Sequence, residues 1–398
     1  VGDPRWGWPG LLEAFRALED HELGASPVRG AGGPLPVGVP ASSHPLVRAL
    51  LAAAPRIGLT PVADVNASDQ PRIGPTPVTI SGGRRVSAAN AFLSLARSRP
   101  NLTVLVHARV GYLLLRGRRV TGVRLAYRGT VRDVLARREV IVAAGSLETP
   151  LLLERSGIGN PQLLSRANVR VRVEQPTVGE GLIEHRAVTV RARARADLPR
   201  PLSDPRQCAA AVARYLTTRS GPLATGPYEL VALARSGARV LRPDVQLLMT
   251  PTLTRLGAPP GERARWPGLL VSAYQLRPTS AGSVHISGPL PGDPPRIDAR
   301  PLATADDRGV TARVLGVVRE LLATEPVASL LTEETQPGPE VSTGEQVVDY
   351  ALRTGGGLYH AVGSARIGSG ELDVVDATLR VRGVDGLRVV DASVFPSP

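Results

Sequence analysis

The chain has 398 residues, of which 42% are hydrophobic and 21% charged, enough for two domains with full cores. Its formal charge is +13, but all 48 lysine-plus-arginine positions are arginine, they are scattered, and aromatics make up only 3%, so a nucleic-acid partner is not expected. The single cysteine, Cys208, excludes an internal disulfide and a cysteine-based zinc centre, no metal is expected, and no apolar run approaches a membrane span.

The opening VGDPRWGWPG has neither an apolar leader nor an initiator Met, and a segment of a longer, cytoplasmic protein is expected. In LLEAFRALED, Leu11, Leu12, Phe15 and Leu18 fall on one helical face. Residues 26–80 are rich in Pro and Gly, with little periodicity, and read as an extended surface excursion. Within them GAGGPLPVG imitates a dinucleotide-binding turn, but no strand precedes it, and Pro34 and Pro36 forbid an ordinary helix after it. A helix is expected at SAANAFLSLARS, with Ser87 as its N-cap. LTVLVHA, VGYLLL and VTGVRLAY read as three short strands, with a turn at RGRR and a polar spacer afterwards.

EVIVAAGSLETPLLLERSGIG predicts a buried strand at 140–143, a tight turn at Ala144, Gly145 and Ser146, and a helix to Arg155 stopped by Gly157. Cys208, in QCAAAV, reads as a small buried residue of a helix. Further on, PDVQLLM and LLVSAYQLRP read as strands, SAGSVHIS as a glycine-containing hairpin, and 306–324 and GEQVVDYALR as helices. The last block, VVDATLRVRGVDGLRVVDASVFP, alternates like strands around the turn GVDG.

Three motifs carry chemistry. In VIVAAGSLETP a strand enters a helix through small residues, which lets a ligand approach the backbone and offers helix N–H groups to an anion; a purely structural corner has the same appearance. In RVVDASVFP, Asp391 either accepts from a ribose or ribityl hydroxyl or caps the next turn. In GGLYHAVGSARIG, His360 lies among glycines; as a neutral imidazole it could take a proton from a substrate hydroxyl, or it is a hydrogen-bonded structural residue.

Taken together, the order and flanks of these motifs resemble the glucose-methanol-choline (GMC) oxidoreductases, FAD-dependent enzymes acting mainly on alcohols. The likeness runs through WGWPGLLEAFRALEDHE, DVNASDQPRIGPTPVTISGGRRVSAANAFL, RPNLTVLVHARV, VIVAAGSLETPLLLERSGIGNP, VGEGLIEHR, HAVGSARIG and the last block. It implies a mixed α/β fold: a partial Rossmann-like FAD-binding domain and a substrate domain with an antiparallel sheet. Residues 1–186 would belong to the former, 187–345 to the latter, and 346–398 would return to the FAD-binding domain. By the resemblance, His360 sits over the flavin as base or hydrogen-bond partner. Val110, Ala143, Ala144 and Gly145 would line the adenosine and pyrophosphate, Asp391 and Ala392 would sit by the ribityl chain, and Tyr359 would wall the substrate pocket. His185 is read as structural, and His21, His44, His107 and His285 as surface or strand residues. The implied partners are a small-molecule alcohol and an electron acceptor: oxygen, a quinone or a protein carrier. The alternatives are a hydroxynitrile-lyase-like enzyme and a non-catalytic remnant.

The sequence departs from the family in three places. The glycine fingerprint and first signature are missing, as if the chain began just after them. The family's second catalytic residue, Asn or His, would fall shortly past Pro398. From the first of these the expectation is a piece that binds FAD poorly and folds uncleanly on its own. The third is HAVGSARIG itself, where Ala361, Ser364, Ala365 and Ile367 replace the Pro, Thr, Cys and Met of the family run, while the His and both glycines persist.

Overall fold

Period-two alternation decides the larger sheet. Val188, Val190, Ala192 and Ala194 are buried, whereas Thr189, Arg191 and Arg193 between them are half-buried, so one face of this strand enters a core. The computed structural model describes residues 2–40, 42–199, 205–253 and 266–398. In chain order its main helices are α1 Trp8–Leu18, α2 Pro45–Ala53, α3 Gly145–Arg155, α4 Pro205–Thr218, α5 Ala305–Leu322 and α6 Gly344–Thr354. Its main strands are β1 Thr60–Pro61, β2 Arg72–Pro75, β3 Ala108–Arg116, β4 Arg119–Tyr127, β5 Thr130–Leu135, β6 Val140–Val142, β7 Glu180–Leu182, β8 Val188–Ala194, β9 Leu230–Ala234, β10 Val245–Thr250, β11 Gly268–Gln275, β12 Gly282–His285, β13 Arg296–Asp298, β14 Leu331–Gln336 and β15 Leu387–Val389.

Seven strands join in the order β14-β8-β11-β10-β9-β2-β1, antiparallel except for the parallel edge pair β1–β2. Helices α2, α5 and α6 cover one face, and Leu46, Leu50, Leu315 and Ala351 meet Val190, Leu247 and Val271 there. Each such aliphatic side chain contributes about 1.5–3 kcal/mol by leaving water. A capping box of Thr343 and Gln346 starts α6.

This sheet corrects the reading of 26–80 as a surface excursion. Leu46, Val47, Ala49, Leu50 and Ala53 of α2 are buried, and Ile73 of β2 lies in the same core. The proline flanks disguised the helix. Pro45 occupies a first-turn position that needs no N–H partner, and the His44 ring accepts from Leu46 N at 3.2 Å.

A second correction concerns the three-strand block. Residues 102–106 form no strand, and Val104, Leu105 and Val106 are exposed. The third strand is β5, inside the supposed spacer, which completes a β3-β4-β5 meander. The two-residue turn Arg128–Gly129 has positive φ at both positions, 49° and 77°, the geometry that lets a chain double back as a tight hairpin. Cys208 is half-buried on α4, not a core residue.

Around α3 lie two smaller assemblies. The parallel pair β6–β15, in register Val140↔Leu387 and Val142↔Val389, packs with α3 and the meander in a second core. On another side of α3, Leu151 meets Leu182 and Val284 of the β7-β12-β13 sheet and Ile286 just past β12. Glu154, in the last turn of α3, is fully buried at this contact. It accepts from Ile286 N at 2.8 Å and lies 2.7 Å from His285 Nδ1, while His285 Nε2 is 3.1 Å from Glu180.

Burial opposes charge on the His285 ring, but the two carboxylates outweigh it, and its pKa is raised. Burial raises the Glu154 pKa as well. The His285 shift makes the folded chain hold a proton that the unfolded chain releases. The stabilisation is full below the ordinary imidazole pKa and is lost as pH climbs through the raised one. Thermal melts between roughly pH 6 and 9 should show Tm falling with pH, with a shallower slope in His285→Asn. Equal slopes in the two proteins contradict this account.

Candidate active site

β6 and β15 run parallel, so their carboxyl ends open on the same side. There β6 leads into Ala143, Ala144 and Gly145, and β15 into Val390 and Asp391. In open α/β sheets ligands bind at this edge, against helix N-termini. Helix α3 starts at it. Gly145 has φ +87°, which glycine alone adopts cheaply, and a Cβ added to it would meet open space. Ala143 and Ala144 are exposed beside it.

Asp391 ties the corner together. Its Oδ2 accepts from Gly145 N at 2.9 Å and from Thr149 Oγ1 at 2.5 Å, and its Oδ1 accepts from Ser393 N at 2.8 Å. It therefore caps the short turn Ala392–Val394 and also joins that turn to the first residues of α3. The neighbouring Ser393 hydroxyl is buried without a hydrogen-bond partner among the described residues.

The His360 loop lies against the segment VGEGLIEHR. Ile183 and Val362 exchange backbone hydrogen bonds, both at 3.0 Å. Gly363, at φ +91°, is required here, because a Cβ would stand 2.3 Å from Gly181 O. Ser146 Oγ donates to Ala361 O at 2.5 Å, Ser364 Oγ donates to Ser146 O at 2.5 Å, and Ala365 N donates to Ser393 O at 2.9 Å. These bonds draw the His360 loop, the 143–145 turn and the Asp391–Ala392 corner into one cluster, the candidate cofactor cleft.

Two candidate residues lie apart from that cluster. Val110 is on β3, partly buried against the second core, next to the other end of α3, where Arg155 Nε donates to Gly111 O at 3.3 Å. Tyr359 stands 94% exposed with φ +63°, a strained backbone for a bulky residue.

His360 has a partner that the sequence reading set aside. Its Nδ1 is 3.1 Å from Nδ1 of His185, whose Nε2 is 3.2 Å from Leu276 O. The two rings meet edge to face, with centroids 5.2 Å apart. Tyr274, on β11, packs 4.8 Å from His185 and 6.1 Å from His360. Both Glu184 oxygens accept from His360 N at 3.1 Å, and one accepts from His185 N at 2.8 Å. Burial depresses the His185 pKa and raises that of Tyr274, so at neutral pH both are uncharged. Glu184, His185 and His360 bring ligand atoms within 4.8 Å of one another. The carboxylate is already engaged by two backbone N–H groups, and the arrangement is that of a hydrogen-bonded network.

Tyr274 carried no sequence signal, and Glu184 shared only the place of His185 in VGEGLIEHR. For His185 the only pointer was its place in VGEGLIEHR.

Residues 1–187 match the N-terminal profile of the GMC oxidoreductases and residues 278–398 the C-terminal one. The chain belongs to the GMC oxidoreductase family. It is 32% identical over 406 residues to the pyridoxine 4-oxidase of Microbacterium luteolum, covering 100% of this chain and 74% of that protein. To the mitochondrial choline dehydrogenase of Mus musculus it is 32% identical over 400 residues, covering 100% of this chain and 67% of the other. The crystal structure of pyridoxine 4-oxidase from Mesorbium loti superposes with a TM-score of 0.87 at 33% identity, over 100% of this chain and 74% of that one. Formate oxidase, at 24% identity and a TM-score of 0.87 over 99% of this chain and 74% of that one, shares the fold.

This GMC chain is accordingly an FAD-dependent oxidoreductase of mixed α/β fold. The cleft suits a flavin nucleotide: small exposed residues at parallel strand ends, open space over Gly145, a helix N-terminus and an unpaired buried hydroxyl. The replacements in the GMC loop pack well. Ser364 keeps a hydroxyl and uses it on Ser146 O, and Ala365 and Ile367 are buried. Among the described residues no helix is long and apolar enough to cross a membrane.

Proposed function

We propose that the protein oxidises the CH–OH group of a small alcohol, with His360 as the base. What supports this reading is one observation: the His360 loop is hydrogen-bonded through Ser146 and Ala365 to both elements of the candidate flavin cleft. FAD, when bound, supplies the acceptor for the hydride that leaves the carbinol carbon. The hydroxyl proton goes to His360, the C–O bond becomes a carbonyl, and the alcohol loses two electrons as an aldehyde or ketone. Ala143, Ala144, Gly145, Asp391 and Ala392 would hold the phosphate and ribityl part of the cofactor, and Val110, near the other end of α3, its adenine end. Tyr359 and Tyr274 would bound the substrate.

The test is anaerobic mixing of the flavin-loaded protein with a panel of primary and secondary alcohols. Bleaching of the oxidised flavin absorbance by at least one is expected. An oxidised flavin throughout, together with cleavage of a cyanohydrin, would replace this proposal with a lyase.

A further inference from the structure

The geometry points to His185 as a positioning residue that holds His360 in its Nδ1–H tautomer, leaving Nε2 as the atom that receives the substrate's hydroxyl proton. This rests on the reading of His360 as the base.

Protons can be counted along one chain of contacts. A backbone carbonyl only accepts, so the 3.2 Å contact to Leu276 O requires an N–H at His185 Nε2. His185 is 6% exposed and packs against Tyr274, and burial keeps the ring neutral. A neutral imidazole has one N–H, so His185 Nδ1 carries a lone pair. That lone pair faces His360 Nδ1 at 3.1 Å, so the proton between them belongs to His360. The reverse assignment would set two acceptors against each other at Leu276 O.

The neutral His360 ring is then unprotonated at Nε2, which makes no hydrogen bond among the described residues. Once Nε2 has taken a proton, the same Nδ1–H···Nδ1 bond becomes charge-assisted, so the contact favours the product of the transfer more than its start. Glu184 fixes the backbone of the same histidine, and the edge-to-face packing of the rings limits rotation. A third group that orients a base through its second nitrogen is the logic of catalytic triads. Here a buried imidazole stands where a carboxylate commonly does, while the Glu184 carboxylate nearby is taken up by backbone N–H groups.

Histidine-selective 15N labelling of the flavin-loaded protein is practical with six histidines in the chain, and long-range 1H–15N spectra read the tautomer directly. The expected wild-type result is His360 protonated at Nδ1 and bare at Nε2. In His185→Leu the proton should redistribute toward Nε2, and flavin reduction should slow by about 10–10²-fold with KM changed less than kcat. His185→Asn presents Oδ1 near the old Nδ1 position and should recover most of both.

A wild-type spectrum with Nε2 protonated and Nδ1 bare overturns the inference, as does an unchanged tautomer in His185→Leu. Should that variant fail to fold, the wild-type spectrum decides by itself. A His360→Ala variant that reduces flavin normally would instead remove the base assignment, whatever the tautomer.

Discussion

Replacing His360 with alanine slows anaerobic flavin reduction by an alcohol about 10²–10⁴-fold, the range for losing a general base, and leaves the FAD in place. The first half follows from the proposed chemistry. Each tenfold loss corresponds to about 1.4 kcal/mol of barrier, so the ring is being asked for roughly 3–5 kcal/mol. The second half follows from how the loop is anchored. Its ties to the cleft run through Ala361 O, the Ile183–Val362 backbone pair, the Ser364 hydroxyl and Ala365 N, none of which needs the imidazole. Stopped-flow absorbance gives the rate, and the flavin-to-protein absorbance ratio gives the occupancy. A change under threefold in the rate takes His360 out of the mechanism. A normal rate in the fraction that retains flavin, with most flavin lost, would make it a cofactor-binding residue instead.

Asp391→Ala should have the largest effect on the cofactor site. One carboxylate receives three hydrogen bonds, from Gly145 N, Thr149 Oγ1 and Ser393 N, and these come from two different elements. Hydrogen bonds to a charged acceptor are worth about 1.5–3 kcal/mol each, and the loss of a cap about 1 kcal/mol. Since these bonds share one acceptor and are not additive, the expected total is about 2–4 kcal/mol. The same change frees the 143–145 turn from the Ala392–Val394 turn, so most of the bound FAD should be lost. Asp391→Asn keeps one accepting oxygen and should fall between. Denaturant midpoints and flavin content measure the two effects. Wild-type values of both in the alanine variant would show that the corner is held by the β6–β15 pairing alone.

Much of the site was legible because its parts are contiguous in sequence. VIVAAGSLETP forms a strand, a positive-φ turn and a helix, and each is specified by neighbours a few residues away: valines that pair, a glycine at φ +87°, a leucine-rich stretch stopped at Gly157. The helices at 305–322 and 344–354 show in their periodicity and caps for the same reason. By contrast, 26–80 was misread. A nine-residue helix behind a proline and a four-residue strand leave almost no periodic signal, and both are stabilised by the sheet they complete. Residues 102–106 show the opposite error. Their composition is that of a strand, but backbone pairing makes a strand, and here the pairing goes to 130–135.

By itself the amino-acid order determined the motifs, the mixed α/β class and the identity of the residues worth testing, since local propensity, turn chemistry and a string of matching motifs are all properties of neighbours along the chain. Tertiary structure alone decided which of them meet. His185 reaches His360 across 175 positions and Glu154 reaches His285 across 131. A tautomer or a raised pKa is set by the atom 3 Å away in space, and nothing along the chain announces which atom that will be.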